Sequence, residues 1–288
     1  MKKLAEYLQS NYKSLIPPKG TSLRRKISFR STYTNRCLAS LQTLAHYLSP
    51  GSSPIDVFVA NEELESLVPN SYLCPALSEI LKNVSVSSEI QSRIDLISTK
   101  LKNYFKIDIF PHWSRLPELL NTRKCAETPL PAGITDDLLN MSSSLLIDYY
   151  EKVMEENLNK TAGLLFYDIY LGIRDFLSGG SSAPFALICG HTLTQLSLRS
   201  ILNISSSYED KWPTFGTMMA FEVLKAKDSK IMIRILTDGI EKKRFSLEEF
   251  SNFAQKLRPD ETECQMKYPY VEKDKKSFGI KMLQMAFS

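Results

Sequence analysis

The hydrophobic period of this chain changes repeatedly before residue 61, and each change marks an element. Leu4, Leu8 and Leu15, with Tyr7 and Tyr12, recur at helical spacing and predict an N-terminal helix with one apolar face. Pro17, Pro18 and Gly20 in "IPPKG" stop it in a turn. In "RRKISFRS" the period drops to two, Ile27 and Phe29 alternating with Lys26 and Ser28, which predicts a strand. Leu38, Leu41, Leu44, Ala45 and Leu48 return to helical spacing over 34–48, "PGSSP" closes that helix, and "IDVFVA" (55–60) predicts a second strand. Strand, helix and strand at this spacing make a βαβ unit, so the two strands are expected to lie parallel in one sheet.

From 61 to 160 the pattern is mostly helical: around "CPALSEILKNV", along "SSEIQSRIDLISTKLKNYF" and along "TDDLLNMSSSLLIDYYEKVMEEN". The chain between these stretches is rich in Pro and Trp and reads as irregular. A helix over 161–178, a glycine-serine break and a strand over 183–188 then resume the alternation. Residues 216–226 and 231–239 suit an antiparallel pair turned at "KDSK", and Ser246 with Glu249 forms a capping box before "SLEEFSNFAQKL". The expected fold class is α/β: a mostly parallel central sheet with flanking helices, built from 1–60 and 161–288, with 61–160 inserted as a helical cap.

Composition narrows the function classes. A chain of 288 residues, 43% hydrophobic and 24% charged, is ordinary for a globular protein with a real core. Its net charge is only +4, and "LRRK" (23–26) and "EKDKKSFGIK" (272–281) form no basic stripe with aromatics between, which argues against nucleic acid. No apolar run is long enough for a transmembrane segment. Glu6, Gln9, Ser10 and Asn11 interrupt any signal-peptide core near the start. Five scattered cysteines without a CxxC pair, and the histidines His46, His112 and His191, do not build a metal site, and no cofactor is expected. Sequons at Asn83, Asn140, Asn159 and Asn203 hint weakly at a secretory route.

The candidate chemistry lies in two loops, "FRSTYTNR" (29–36) and "CGHTLTQL" (189–196), which should meet at the carboxyl ends of parallel strands, where open α/β sheets collect ligands. Arg30 would offer a planar fork suited to a phosphate or carboxylate, His191 a further donor, and the helix beyond it free N–H groups. Taken singly, an arginine at a strand end more often makes an ion pair, and a histidine after an apolar strand more often holds structure than catalyses. Together they outline an oxyanion pocket.

In these residues the chain resembles the histidine acid phosphatases, and most closely the animal prostatic and lysosomal type. The family's R-S-T-D-x-x-R-T-x-x-S-A stretch is matched by "RSTYTNRCLAS", its G/A-H-D-x-T-L turn by "GHTLTQL", its W-P entry into an F-E-L strand by "WPTFGTMMAFEVL" and its R-x-L-Y-N-G hairpin by "IRILTDG". "PLPAGIT" (129–135) is similar to a fifth family segment, and the matches run in order from about residue 2 to 264. The resemblance implies a phosphoglycerate mutase-like fold, phosphomonoester hydrolysis through a phosphohistidine, and Arg30 and His191 as phosphate-binding residues. It places Thr192 where the family has the aspartate that protonates the leaving group.

Nothing here matches the family's R-H-G-x-R-x-P motif, which carries the nucleophilic histidine. The N-terminal helix resembles one that follows that motif, so the chain is expected to lack the first strand, the nucleophile and two arginines, leaving neighbouring strands without ladder partners. A threonine hydroxyl at 192 is a far weaker acid than a carboxyl. The implied function is therefore a phosphatase homologue, weak or inactive in this chain. The alternatives are a working acid phosphatase, completed by a longer product or with Thr192 bypassed by a nearby carboxylate or water, and a non-catalytic binding or scaffold protein. By the same resemblance Cys125 should pair with Cys264 in a disulfide, Cys74 should be unpaired because its partner would fall near Met218, and Cys37 and Cys189 should be small core thiols. The animal relatives imply a possible homodimer and a secreted or lysosomal location; the chain as it stands, if complete, would be cytoplasmic.

Overall fold

The βαβ unit forms as its pattern predicts. In this computed structural model, which describes residues 1–18, 20–23, 26–51, 54–85, 87–105, 113–155, 157–180, 183–204, 212–260, 264 and 284–287, α1 (Lys2–Asn11) precedes β1 (Ile27–Ser31), α2 (Asn35–Leu48) and β2 (Val57–Val59). β1 and β2 are parallel, with Phe29 opposite Val57. Four longer helices follow: α3 (Ala76–Ser85), α4 (Ser88–Phe105), α5 (Leu116–Cys125) and α6 (Asp136–Glu155). They bury a cluster of their own around Leu77, Ile90, Leu120 and Leu145. The sequence reading missed α5, because its apolar residues crowd into the first turn and Pro117 looks like a breaker. A proline in the first turn has no intrahelical N–H to lose, and Pro117 is the second residue of the helix.

The short α7 (Leu158–Thr161) and α8 (Gly163–Leu177) lead into β3 (Phe185–Cys189), which pairs parallel with β1, and then into α9 (Thr192–Ile201). β4 (Met218–Lys225), β5 (Ile231–Thr237) and β6 (Ile240–Ser246) form an antiparallel meander. The polar β6 was not foreseen. It is the sheet's outer strand, where Lys242, Lys243 and Arg244 deter further pairing. Its turn residues Asp238 and Gly239 both have positive φ, the two-residue hairpin geometry that "DG" announces. The Ser246–Glu249 capping box is present at the start of α10 (Leu247–Lys256).

A last strand, β7 (Gln284–Phe287), runs between β3 and β4, parallel to the first and antiparallel to the second. The sheet order is β2-β1-β3-β7-β4-β5-β6. The unpaired edges expected beside a missing strand are thus filled by a C-terminal segment. Strand alternation sorts the core into two faces. Phe29, Leu187, Met218 and Ala220 meet α1 and α2 on one side, through Leu8, Leu41 and Leu44. Ile188, Met219, Phe221 and Ile235 meet α8, α9 and α10 on the other, through Phe166, Leu198 and Phe250.

The expected Cys125–Cys264 bond is not formed. Cys264 is bonded to Cys74, the residue expected to be unpaired. Both bonded residues are fully buried in the helical cluster, whereas Cys125 ends α5 with its thiol exposed. His46 is exposed on α2, and His112 lies outside the described residues. Among the described residues no helix is long and apolar enough to cross a membrane.

Candidate functional site

β1 and β3 end side by side, Ser31 opposite Cys189, so the turns that follow them open at one sheet edge. The first turn leads to Thr34, the N-cap of α2, and the second to His191, the N-cap of α9. Neither helix carries an acidic residue in its first turn, so both present unneutralised N–H groups and positive dipole ends to the same place.

Gly190 and Thr194 set the second turn. A Cβ on residue 190 would stand 2.5 Å from Thr194 Oγ1, so only glycine allows this approach. The His191 N–H donates to Thr194 Oγ1 at 2.9 Å, and that hydroxyl donates onward to the Leu67 carbonyl at 2.7 Å. The β3–α9 turn and the loop after β2 are thereby fastened together.

The His191 ring is held from both sides. Arg36, on the first turn of α2, lies 3.1 Å from Nδ1, and Thr32 Oγ1 lies 3.0 Å from Nε2. A guanidinium only donates, so Nδ1 is the acceptor and Nε2 carries the hydrogen directed at Thr32. Thr32 continues to Thr34 at 3.1 Å. Beneath the ring, the Cys37 thiol donates to the Gly190 carbonyl at 3.0 Å. Its sulfur is nearly equidistant from the two ring nitrogens, 3.8 and 4.0 Å, and so rests against the ring rather than in a linear bond to either. Contact with the Cys189 thiol is the largest influence pulling Cys37 below the usual thiol range, and the same contact pushes Cys189 up.

Thr32, Arg36 and His191 line a cleft of about 250 Å³ between the sheet edge and the helical layer. Thr32, Thr34 and Arg36 supply one wall, and His191, Thr192 and Leu193 a second. Glu65 and Val68 come from the loop after β2, while Glu118, Leu146 and Tyr150 come from α5 and α6. Burial pushes the Tyr150 phenol up to about 12, so it stays protonated through the physiological range. Among the described residues no group of His, Cys, Asp or Glu is arranged to hold a metal ion.

Two of the expected site residues, His191 and Thr192, are brought to the cleft; Arg30 is directed elsewhere. Alternation along β1 turns Arg30 to the α8 face, where it is 7% exposed. Its guanidinium lies 3.1 Å from Glu65 Oε1, 2.8 Å from Ser66 Oγ and 3.6 Å from Asp168 Oδ2. Glu65 Oε1 also accepts from the Leu67 N–H at 2.9 Å. Burial raises the Glu65 carboxyl above its ordinary range, outweighing the nearby Arg30 charge. Glu65 Oε2 and Arg30 Nε are buried without hydrogen-bond partners. Arg30 therefore stands behind the cleft wall, and Arg36 supplies the guanidinium beside His191. Arg36 was legible as part of the family match but was given no role; its signal was a basic residue on the first turn of a helix starting at the strand ends. Glu65 had no readable signal.

The described residues thus give a seven-stranded sheet with helices on both faces and a further helical cluster packed apart from them. Solved structures whose fold the chain shares include phytases, which are histidine acid phosphatases. The phytase from Citrobacter braakii superposes with a TM-score of 0.63 at 14% identity, covering 91% of this chain and 87% of that one. The Klebsiella sp ASR1 phytase gives 0.64 at 15% identity, covering 94% and 86%, and the Hafnia alvei phytase 0.58 at 11%, covering 91% and 84%. Identities this low establish the fold alone. Among curated proteins, Counting factor 60 of Dictyostelium discoideum is 22% identical over an alignment of 228 residues that covers 73% of this chain and 53% of that protein. The chain thus spans about half the length of the curated relative it matches. No protein-family model matches the sequence.

Proposed function

We propose that this chain is a histidine acid phosphatase homologue whose cleft binds a phosphomonoester or inorganic phosphate and turns it over weakly or not at all. The observation that carries the reading is the convergence of Arg36, His191 and two helix N-termini on one cleft in a phytase fold. A fixed guanidinium, an imidazole and free N–H groups suit a tetrahedral oxyanion. Arg30 joins the phosphate set only if its guanidinium leaves Glu65. Among the described residues no other histidine lines the cleft, and Thr192 offers a hydroxyl where the resemblance expects a carboxyl, which by itself forfeits roughly 10²–10⁴ in rate. In this reading residues 61–160 form the cap over the strand ends. The buried Cys74–Cys264 bond supports maturation in an oxidising compartment, secreted or lysosomal.

Glu65 favours a second reading in which some turnover survives. Glu65 is among the residues that line the cleft and burial favours its protonated form, so on turning outward it could donate a proton where Thr192 does not.

The test is thermal unfolding with orthophosphate or vanadate, alongside p-nitrophenyl phosphate hydrolysis at acidic pH. We expect a ligand-dependent rise in melting temperature that Arg36→Ala and His191→Ala both abolish, with little or no hydrolysis. No shift in the wild type would overturn the binding claim. Turnover lost on His191→Ala would overturn the claim of inactivity, and turnover lost on Glu65→Gln would establish the second reading.

A further inference from the structure

Directly under the His191 ring lies a feature that the phosphate reading does not use. Cys37 and Cys189 come from different elements, the first turn of α2 and the last residue of β3, and neither belongs to the Cys74–Cys264 bond. Both are buried, at 4% and 2% exposure. Both sit in the same buried cluster between the sheet and helices α1 and α2, and each thiol shifts the other's titration. Cys37 is further tied to the carbonyl of Gly190, the residue after Cys189, at 3.0 Å. The Cys37 sulfur lies 3.8 Å from Nδ1 of His191, a residue that lines the cleft. A buried cysteine in apolar surroundings is inert, whereas one at a helix N-terminus beside imidazole and a second thiol is set up to react and be resolved.

We propose that Cys37 and Cys189 are a redox-active dithiol, oxidised to a disulfide by hydrogen peroxide entering through the cleft. The Cys37 sulfur attacks one peroxide oxygen; the S–O bond forms, the O–O bond breaks, and hydroxide leaves with the thiol proton as water. The Cys189 sulfur then attacks the Cys37 sulfenic acid; the S–S bond forms, the S–O bond breaks, and a second water leaves. Two thiols lose two electrons and two protons, and the peroxide is reduced to two waters.

The bond would draw the α2 start and the β3 end together and remove the thiol that supports the His191 ring. Oxidation should therefore weaken the cleft's hold on an anion, a corollary that rests on the phosphate reading while the dithiol itself does not.

The experiment uses the full chain treated with a few equivalents of hydrogen peroxide, blocked with iodoacetamide under denaturing conditions, digested and mapped by mass spectrometry. The expected product is a Cys37–Cys189 bridged peptide that dithiothreitol reverses, with the Cys74–Cys264 peptide present before and after. Exposed Cys125 reports that the oxidant acted. Cys189→Ser should leave oxidised Cys37 unbridged. Oxidation of Cys125 with no Cys37–Cys189 peptide overturns the proposal, as does a bridge from either residue to Cys125. The orthophosphate-dependent melting shift is then compared before and after peroxide. A wild type that bridges the pair but shows no shift even when reduced refutes the phosphate reading and leaves the dithiol standing.

Discussion

Arg36 donates to Nδ1 of His191 across 155 positions of sequence, and this contact at 3.1 Å, with that of Thr32 to Nε2 at 3.0 Å, joins the two loops that form the cleft. Arg36 is solvent-exposed, so Arg36→Ala should change stability in the absence of ligand by no more than about 0.5 kcal/mol. A charge-assisted bond to an anion is worth about 1.5–3 kcal/mol, so orthophosphate affinity should fall at least tenfold. Melting curves with and without orthophosphate separate the two effects. A large loss of stability without ligand would make Arg36 a structural residue instead.

Gly190→Ala should damage fold and site together. The new Cβ would overlap the Thr194 hydroxyl, which is fastened to Leu67 and has little freedom to move. Overpacking of this kind costs about 1–3 kcal/mol. The denaturation midpoint should fall, and Thr194→Ser, which removes a methyl also close to that Cβ, should recover only part of the loss.

Arg30 and Glu65 make a second prediction about stability. Their side chains are 8% and 2% exposed, so removing one partner strands the other's charge in the interior. Arg30→Met alone should cost about 3–5 kcal/mol, and the Arg30→Met, Glu65→Leu double variant should recover a substantial part of it. Additive losses in urea denaturation would refute the pairing as the cause.

The same glutamate should shape the pH dependence. Burial holds its folded carboxyl above the unfolded one, so the folded state keeps the proton more tightly. Stability from this group is complete below the unfolded value, about pH 4.3, and is lost as pH rises through the raised folded value. Across that window the wild type should lose melting temperature relative to Glu65→Gln. Parallel profiles would contradict the assignment.

Cys74→Ser should cost about 2–5 kcal/mol by releasing a link between positions 190 residues apart. Cys125→Ser should be nearly silent, and only Cys125 should react quickly with iodoacetamide in the native protein.

The elements with a strong period were legible in the sequence. α2, β3 and α10 appear within a residue or two of expectation, because their apolar positions alone decide which face is buried. β6 and α5 were not, since one is a polar outer strand and the other opens on a proline. At the site, His191 was legible from an apolar strand running into a glycine and a helix. The direction of Arg30 was not, because it depends on Glu65 and Asp168, which lie 35 and 138 positions away and have no motif. The disulfide partner was misjudged for a similar reason. Resemblance assigned Cys125, but burial in the helical layer selected Cys74.

The position of β7 has a consequence for assembly during synthesis. The parallel strands β1 and β3 and the antiparallel meander can each form while the chain is still being made, but they share no ladder until residues 284–287 emerge from the ribosome. Until then two unfinished edges face one another, and nascent chains would be most exposed to chaperones and to mispairing with their neighbours at that stage.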